Sequence, residues 1–266
     1  MKMDYERSEN MTASDYFAIY KIDLNCDLGE GAALDSEIIP LISSANIACG
    51  FHAGGSSLMH KTVEMCAKNG VALGAHPGYP DRENFGRTAM DCTDEQIYDY
   101  MMYQLGALSA FASAQGVSLQ HVKPHGALYN TAGKNIEVAR AVVRAVRDFD
   151  SSLILLALSG SKMIEAAEEY GVKYACEVFA DRAYEADGSL RQRGLEGAMI
   201  TDEKEAIERV VRMVKEGKVK AYTGEDIVVR ADSVCVHGDG QKALDFVKAL
   251  NEAFIENKIK IMPLGK

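Results

Sequence analysis

Apolar segments of strand length alternate with longer amphipathic segments along most of this chain. The predicted strands are residues 22–27, 45–50, 71–76, 119–124, 153–158, 174–180 and 233–237. A last short run at 258–262 is predicted as an eighth strand or a tail. The predicted helices are residues 36–43, 57–69, 93–115, 136–148, 161–170, 202–215 and 241–256. Repeated β-then-α units of this kind predict a parallel sheet covered by helices.

The polar residues within these strands favour a closed barrel over an open sheet. Asp23, Asn25 and Asp27 share one face of the first strand, because side chains alternate between faces. The polar residues in the same phase on later strands are His76, His121, Lys123, His125, Glu177, Asp181, His237 and Asp239. Helices cover both faces of a parallel sheet, so only a barrel lumen gives these residues room, and barrel enzymes build active sites at its carboxyl-terminal end.

Length and composition narrow the class of protein. A chain of 266 residues without a linker predicts one barrel domain at 21–266, after a weakly ordered extension at 1–20. A formal net charge of -10 disfavours nucleic acid and anionic lipid as partners. No apolar run approaches the length of a membrane helix, and the first twenty residues lack the order of a signal peptide. Six cysteines without a CxxC pair are predicted to be buried free thiols, and the expected location is cytoplasmic.

Four of the six histidines lie at the ends of predicted strands, in segments that contain Gly or Pro. They are His52, His76, His125 and His237. Imidazole is suited to proton transfer near neutral pH and to metal binding, so these four are candidate catalytic residues. His60, within a helix, is predicted to be a surface or packing residue, and His121, deeper on its strand, a structural one.

Asp27 and Glu30 form a candidate pair of carboxylates at the end of the first strand. Such a pair can hold a metal or divide the roles of acid and base. Asp27, His52 and His76 would make a three-ligand metal site with an open position. The alternative is a helix N-cap beside a solvated loop charge.

Lys123 needs a negative partner if it points into a barrel. A substrate carboxylate, a phosphate or Glu177 would serve. The segment FADRAYEADGSLRQRG contains charges that would suit a lid over an anionic substrate or an ordinary solvated loop: Asp181, Arg182, Arg191 and Arg193.

The segment HGDGQKA nominally fits a dinucleotide-binding pattern. Too little chain follows it for a βαβ unit, so a nicotinamide cofactor is disfavoured. A helix N-terminus at this point could still bind phosphate or carboxylate. The sequence contains no GxxxxGK[ST] motif, so ATP is not held here by a P-loop.

Six motifs in order resemble the LamB/YcsF family from about residue 22 to about residue 258. They are IDLNCDLGEG, ISSANIACGFHAGG, GAHPGYPDRENFGR, VKPHGALYN, FADRAY and CVHGD. The resemblance implies an α/β fold, a seven-stranded TIM-like (β/α) barrel of the glycoside hydrolase/deacetylase type. It also implies ATP-dependent hydrolysis of the lactam of 5-oxoproline to L-glutamate, together with partner subunits B and C.

The resemblance also selects site residues. With the strand-end pattern, it predicts a catalytic set of Asp27, Glu30, His52, His76, Lys123, His125 and His237. The predicted substrate-binding set is Asn25, Asp181, Arg182 and Asp239, and Asp23 is a further matched position. ATP with Mg²⁺, handled with the partner subunits, is the expected cofactor, and a divalent metal in the barrel and a homo-oligomer are left open. The rival predictions are a metal-dependent deacetylase or amidohydrolase that acts alone, and a non-catalytic protein that only binds the substrate.

Overall fold

The computed structural model describes residues 19–236 and 240–266. Its strands are β1 (Tyr20–Leu28), β2 (Ser44–Ala48), β3 (Ala72–His76), β4 (Leu119–Val122), β5 (Ile154–Leu158), β6 (Lys173–Phe179), β7 (Lys218–Lys220), β8 (Asp226–Val228), β9 (Ser233–Val236) and β10 (Ile259–Ile261). Strands β1 to β6 pair in sequence order, β9 follows β6, and β9 also pairs with β1. All these pairings are parallel, so the predicted seven-stranded barrel is confirmed.

Helices surround this barrel. They are α1 (Asp35–Ile38), α2 (Ser56–Asn69), α3 (Asp94–Ala114), α4 (Gly126–Lys134), α5 (Ile136–Phe149), α6 (Lys162–Tyr170), α7 (Glu203–Glu216) and α8 (Gln241–Glu256). Helix α3 starts with the predicted capping box between Thr93 and Gln96. The helix predicted at 36–43 is instead α1 followed by a 3₁₀ turn at Ile39–Leu41. Pro40 lies in that turn and cannot donate the hydrogen bond that an α-helix needs there.

The ends of the described chain meet on one side of the barrel. The first three residues of β1 pair with β10, and residues Asp23–Cys26 of the same strand pair with β9. The predicted eighth strand therefore exists, but it lies outside the closed ring. Strands β7 and β8 form a separate antiparallel hairpin that the sequence did not predict.

The core lies between the barrel wall and the helices. Helix α5 shows the pattern, since Ala139, Val142, Val143 and Val146 are buried along one stripe. The cysteines are free thiols, five buried and Cys92 partly exposed, as predicted. Across the described ranges, no helix is both long and apolar enough to cross a membrane. Residues 1–18 of the predicted extension lie outside the described residues.

Candidate functional site

The floor of the barrel lumen is a polar cluster around Asp23. The hydroxyls of Ser43 and Ser44 donate to this carboxylate, each at 2.7 Å, and Ser233 donates to it as well. Asp23 is only 2% exposed, and burial raises its pKa although the three serines oppose the shift. The floor is therefore closed to substrate, and its polar groups bind one another.

Above the floor, Asn46 links three strands. Its amide nitrogen donates to Asn25 Oδ1 at 2.7 Å and to Asp27 Oδ1 at 2.8 Å. Its oxygen lies 2.8 Å from His121 Nε2, so His121 donates there. Burial lowers the pKa of His121 to about 3. A Cβ on Gly74 would overlap the same ring nitrogen, so only glycine leaves room for the predicted structural histidine.

Lys123 forms the next layer. Its ammonium lies 2.9 Å from Asp27 Oδ1, 2.8 Å from Glu177 Oε1 and 3.0 Å from Cys235 Sγ. Tyr129 donates to the other Glu177 oxygen at 2.7 Å. Burial opposes the charge of Lys123, but the carboxylate of Asp27, followed by other nearby groups, holds its pKa well above the usual value. Lys123 is therefore a buried cation that forms ion pairs with carboxylates on two different strands, Asp27 on β1 and Glu177 on β6.

His76 and His125 meet at the mouth. His76 Nδ1 lies 2.7 Å from the carbonyl oxygen of Lys123, and its Nε2 lies 3.4 Å from Asp27 Oδ2. His125 Nε2 lies 2.8 Å from the carbonyl oxygen of Phe85, and its Nδ1 lies 2.9 Å from His76 Nε2. Burial lowers the pKa of His125 well below the usual value, whereas Asp27 outweighs burial and raises that of His76.

His52 covers this pair from the other side. Its ring stacks on His125 with centroids 3.7 Å apart and planes at 4°. Its Nε2 lies 2.9 Å from Glu30 Oε1, and within the described parts of the chain its Nδ1 has no hydrogen-bond partner. Burial, and then the charge of His76, lower the pKa of His52 to about 2, so it is neutral.

The loop after β3 holds the histidines in place. Phe85 has a left-handed backbone, with φ of 56°, which is uncommon for a residue with a side chain. That conformation supplies the carbonyl that binds His125. A Cβ at the next residue, Gly86, would lie 2.7 Å from His52 Cβ and 2.9 Å from His125 Cδ2, so the loop presses directly on the stacked rings.

A cavity of about 1190 Å³ opens above these groups. The predicted site residues that line it are Asp27, Glu30, His76, Lys123, His125, Asp181 and Arg182. Asn25 and His52 are buried behind them, at 0% and 1% exposure. His237 and Asp239 lie outside the described residues. Tyr129, Asn46 and Ser44 were not predicted, although in-phase polar residues on β2 and the VKPHGALYN motif were available signals.

Arg182 contributes a cation to the wall of this cavity. It is 4% exposed and donates from Nη2 to the Arg191 carbonyl at 2.6 Å. Among residues 19–236 and 240–266, its Nε finds no hydrogen-bond partner. Burial, reinforced by Arg193, lowers its pKa to about 10, so it remains charged at neutral pH.

One group of ligand atoms could hold a metal ion. Single atoms of Glu30, His52, His76 and His125 all lie within 4.8 Å of one another. Of the metal set predicted from the sequence, His52 and His76 belong to this group, whereas Asp27 binds the ammonium of Lys123. The predicted metal and catalytic roles stay predictions, since geometry alone does not test them.

Comparisons with known proteins identify the family of this chain and agree with its fold. The LamB/YcsF family model matches residues 22–266. The chain is 54% identical over 253 residues to the 5-oxoprolinase A subunit of Clostridium beijerinckii, covering 93% of this chain and 99% of that protein. It is 52% identical over 249 residues to the 5-oxoprolinase A subunit of Pyrococcus abyssi, covering 92% and 98%. The crystal structure of the lactam utilization protein from Thermus thermophilus matches with a TM-score of 0.85 and 44% identity, over 91% of this chain and 99% of that one. The chain belongs to the LamB/YcsF family.

Proposed function

We propose that this chain is the A subunit of an ATP-dependent 5-oxoprolinase, which hydrolyses the lactam of 5-oxoproline to L-glutamate with partner subunits B and C. One observation carries the proposal: the chain is 54% identical to a protein named as the A subunit of 5-oxoprolinase and covers 99% of it. The cavity at the barrel mouth supports it, because this face is where barrel enzymes bind their substrates.

Recognition of 5-oxoproline requires a cation for its carboxylate. Arg182 suits this role, because its guanidinium is buried in the cavity wall and its Nε is not used by the described chain. Asp181 lines the same wall and is proposed to bind the lactam nitrogen. Asn25 is proposed to act indirectly from beneath the cavity. Its amide donates to Glu177 Oε1 at 3.1 Å and so orients the carboxylate that binds Lys123. Asp239 completes the proposed substrate-binding set.

Hydrolysis breaks the ring C–N bond, adds the oxygen of water to the carbonyl carbon and leaves a proton on the ring nitrogen. Lys123 is proposed to stabilise the negative charge on the amide oxygen and on the phosphoryl group that this oxygen receives from ATP. The cluster of Asp27, His76, His125 and Glu30 accepts the proton of the attacking water. His52 and His237 are the remaining members of the proposed catalytic set.

ATP makes the stable lactam reactive. Transfer of the γ-phosphoryl group to the amide oxygen would give an imidate-like species, which water attacks more readily. Loss of the ring nitrogen would then open the ring to an acyl phosphate, and a second water would hydrolyse this acyl phosphate to the carboxylate of glutamate and inorganic phosphate. Because the sequence has no P-loop, the partner subunits are proposed to bind ATP and Mg²⁺, and this chain to carry out the hydrolytic steps.

A second function is favoured by the group of Glu30, His52, His76 and His125. Such ligand types also serve metal-dependent amidohydrolases that act alone. This alternative predicts activity without ATP or partners.

The decisive assay measures glutamate released from 5-oxoproline by the purified chain, with and without ATP and the cognate B and C subunits. We expect release only when all three are present. The variant His125→Gln should reduce that rate at least about 100-fold, because a positioned acid or base contributes this much. The matched variant His60→Gln, on the outer helix α2, should match the wild type. Release without ATP would favour the stand-alone hydrolase, and wild-type rates for His125→Gln would contradict the proposed site.

A further inference from the structure

The tautomers of His76 and His125 are fixed by backbone carbonyls. A carbonyl oxygen only accepts hydrogen bonds, so His76 carries a proton on Nδ1, which faces the oxygen of Lys123 at 2.7 Å. His125 likewise carries a proton on Nε2, which faces the oxygen of Phe85 at 2.8 Å. In the neutral rings, the other nitrogens hold lone pairs, and these face each other at 2.9 Å.

Two lone pairs at this distance require a positive centre that both can share. A single additional proton is one solution, and a metal ion is the other. The carboxylate of Glu30 approaches the same point, with Oε1 3.6 Å from His125 Nδ1. Ligand atoms about 2.1 Å from one tetrahedral ion lie roughly 3.4 Å apart, so small adjustments would place all three around it.

We propose that His76 Nε2, His125 Nδ1 and the carboxylate of Glu30 bind one divalent transition-metal ion of the zinc type. Two imidazoles and one carboxylate are a ligand set that catalytic zinc sites use, with a fourth position open. That position would face the cavity, which these three residues line.

His52 belongs to the outer shell of this site. Its ring is parallel to that of His125 at 3.7 Å, and a ring nitrogen holds its lone pair in the plane of the ring, so the two lone pairs cannot converge on one ion. Instead, His52 Nε2 donates to Glu30 Oε1 at 2.9 Å and orients that carboxylate. The carbonyls of Lys123 and Phe85 orient the two histidine ligands in the same way, as outer-shell acceptors typically do.

The site differs from the set predicted from the sequence, Asp27, His52 and His76. Asp27 is committed to Lys123 at 2.9 Å, and it reaches His76 only at 3.4 Å. A divalent ion also suits the charge of the cluster, because Asp27 and Glu177 share the ammonium of Lys123, whereas Glu30 contacts the imidazoles of His52 and His125. An ion at this point would supply the activation of water that the proposed function otherwise asks of the two histidines.

The test is metal binding by the isolated full chain. Protein stripped with a chelator is titrated with Zn²⁺ by calorimetry and with Co²⁺ by visible absorbance, which reports a low-coordinate nitrogen and oxygen site. We expect one equivalent of either ion. His76→Gln, His125→Gln and Glu30→Gln should each weaken binding more than about 100-fold, whereas His52→Gln should weaken it about 10- to 100-fold. His60→Gln should bind like the wild type, and circular dichroism would confirm that each variant is folded.

Two results would overturn the proposal. The wild type could fail to bind a stoichiometric ion, which would assign the gap between the rings to a shared proton. Binding could also survive in a folded variant that lacks both His76 and His125. Because neither 5-oxoproline nor ATP is present in this titration, its failure leaves the proposed activity standing, and a failed activity assay leaves the metal site standing.

Discussion

At the floor of the barrel Asp23 is surrounded by serine hydroxyls, whereas at the mouth Asp27, on the same face of the same strand, lies between an ammonium and an imidazole. Both carboxylates point into the lumen. Neutral donors bind the first, and its cluster is complete in itself. Charged and titratable groups, together with the amide of Asn46, bind the second beside a large cavity. Depth along the strand, rather than residue type, therefore separates a structural carboxylate from a candidate functional one.

The largest expected effect on stability and activity comes from replacing Lys123, the buried cation at the mouth of the barrel. Lys123→Met removes the ammonium but keeps most of the volume, leaving Asp27 and Glu177 as neighbouring buried carboxylates. Losing one partner of a buried ion pair costs about 3–5 kcal/mol, so the melting temperature should fall clearly. We also expect loss of ATP-dependent glutamate release in the complete assembly. Lys68→Met, at an exposed pair on α2, is the control and should change neither quantity. If the Lys123→Met variant were fully active, the ion pairs of Lys123 would have only a structural role, like the hydrogen bonds of Asp23 at the floor.

A smaller effect is expected at the cavity wall. Arg182→Gln should raise the KM for 5-oxoproline by about 10- to 100-fold, because a charge-assisted hydrogen bond to a carboxylate is lost. The free energy of unfolding should fall by about 1 kcal/mol, because the hydrogen bond from Arg182 Nη2 to the Arg191 carbonyl is lost. Steady-state kinetics separate KM from kcat. A fall in kcat at unchanged KM would contradict a role for Arg182 in binding the substrate.

The smallest effect on activity is expected at the floor. Ser44→Ala removes one hydroxyl that donates to Asp23 at 2.7 Å. The free energy of unfolding should fall by about 1–2 kcal/mol, because a buried acceptor loses a partner. The kcat of the assembled enzyme should stay at the wild-type value. Urea denaturation and glutamate release check the two halves of this prediction, and a loss of kcat without a loss of stability would contradict the division between floor and mouth.

The fold was largely predictable because the barrel strands are apolar runs with in-phase polar residues. Helix α4 was missed, since it begins at Gly126 and contains Gly133, two residues with low helix propensity. The hairpin of β7 and β8 was missed because each strand has only three residues and the pattern of Lys218–Lys220 buries only Val219. Neither element contributes a strand to the ring, so the predicted architecture holds without them.

The sequence predicted that the site residues lie at the ends of the strands, but it did not predict which of them contact one another. Strand phase placed Asp27, His76 and Lys123 on the lumen side, where the structure has them. Strand phase could not show that Lys123 would form an ion pair with Asp27, because the distance between the two side chains depends on the diameter and the stagger of the barrel. Strand phase also could not show that Glu30 would contact the histidines. Glu30 follows the strand in a loop, and its direction depends on the positive φ of the flanking residues Gly29 and Gly31.

Strand β1 pairs with β10 at its start and with β9 further along, and this arrangement has a consequence for biosynthesis. Its ring-closing partner β9 and its outer partner β10 lie more than 200 residues later in the chain. While the ribosome is still adding residues, β1 and β6 each expose an edge with unsatisfied backbone groups, which is the kind of surface that chaperones recognise. The barrel can close only after β9 has been synthesised. Synthesis interrupted before β9 should therefore release chains that aggregate rather than a smaller, stable barrel.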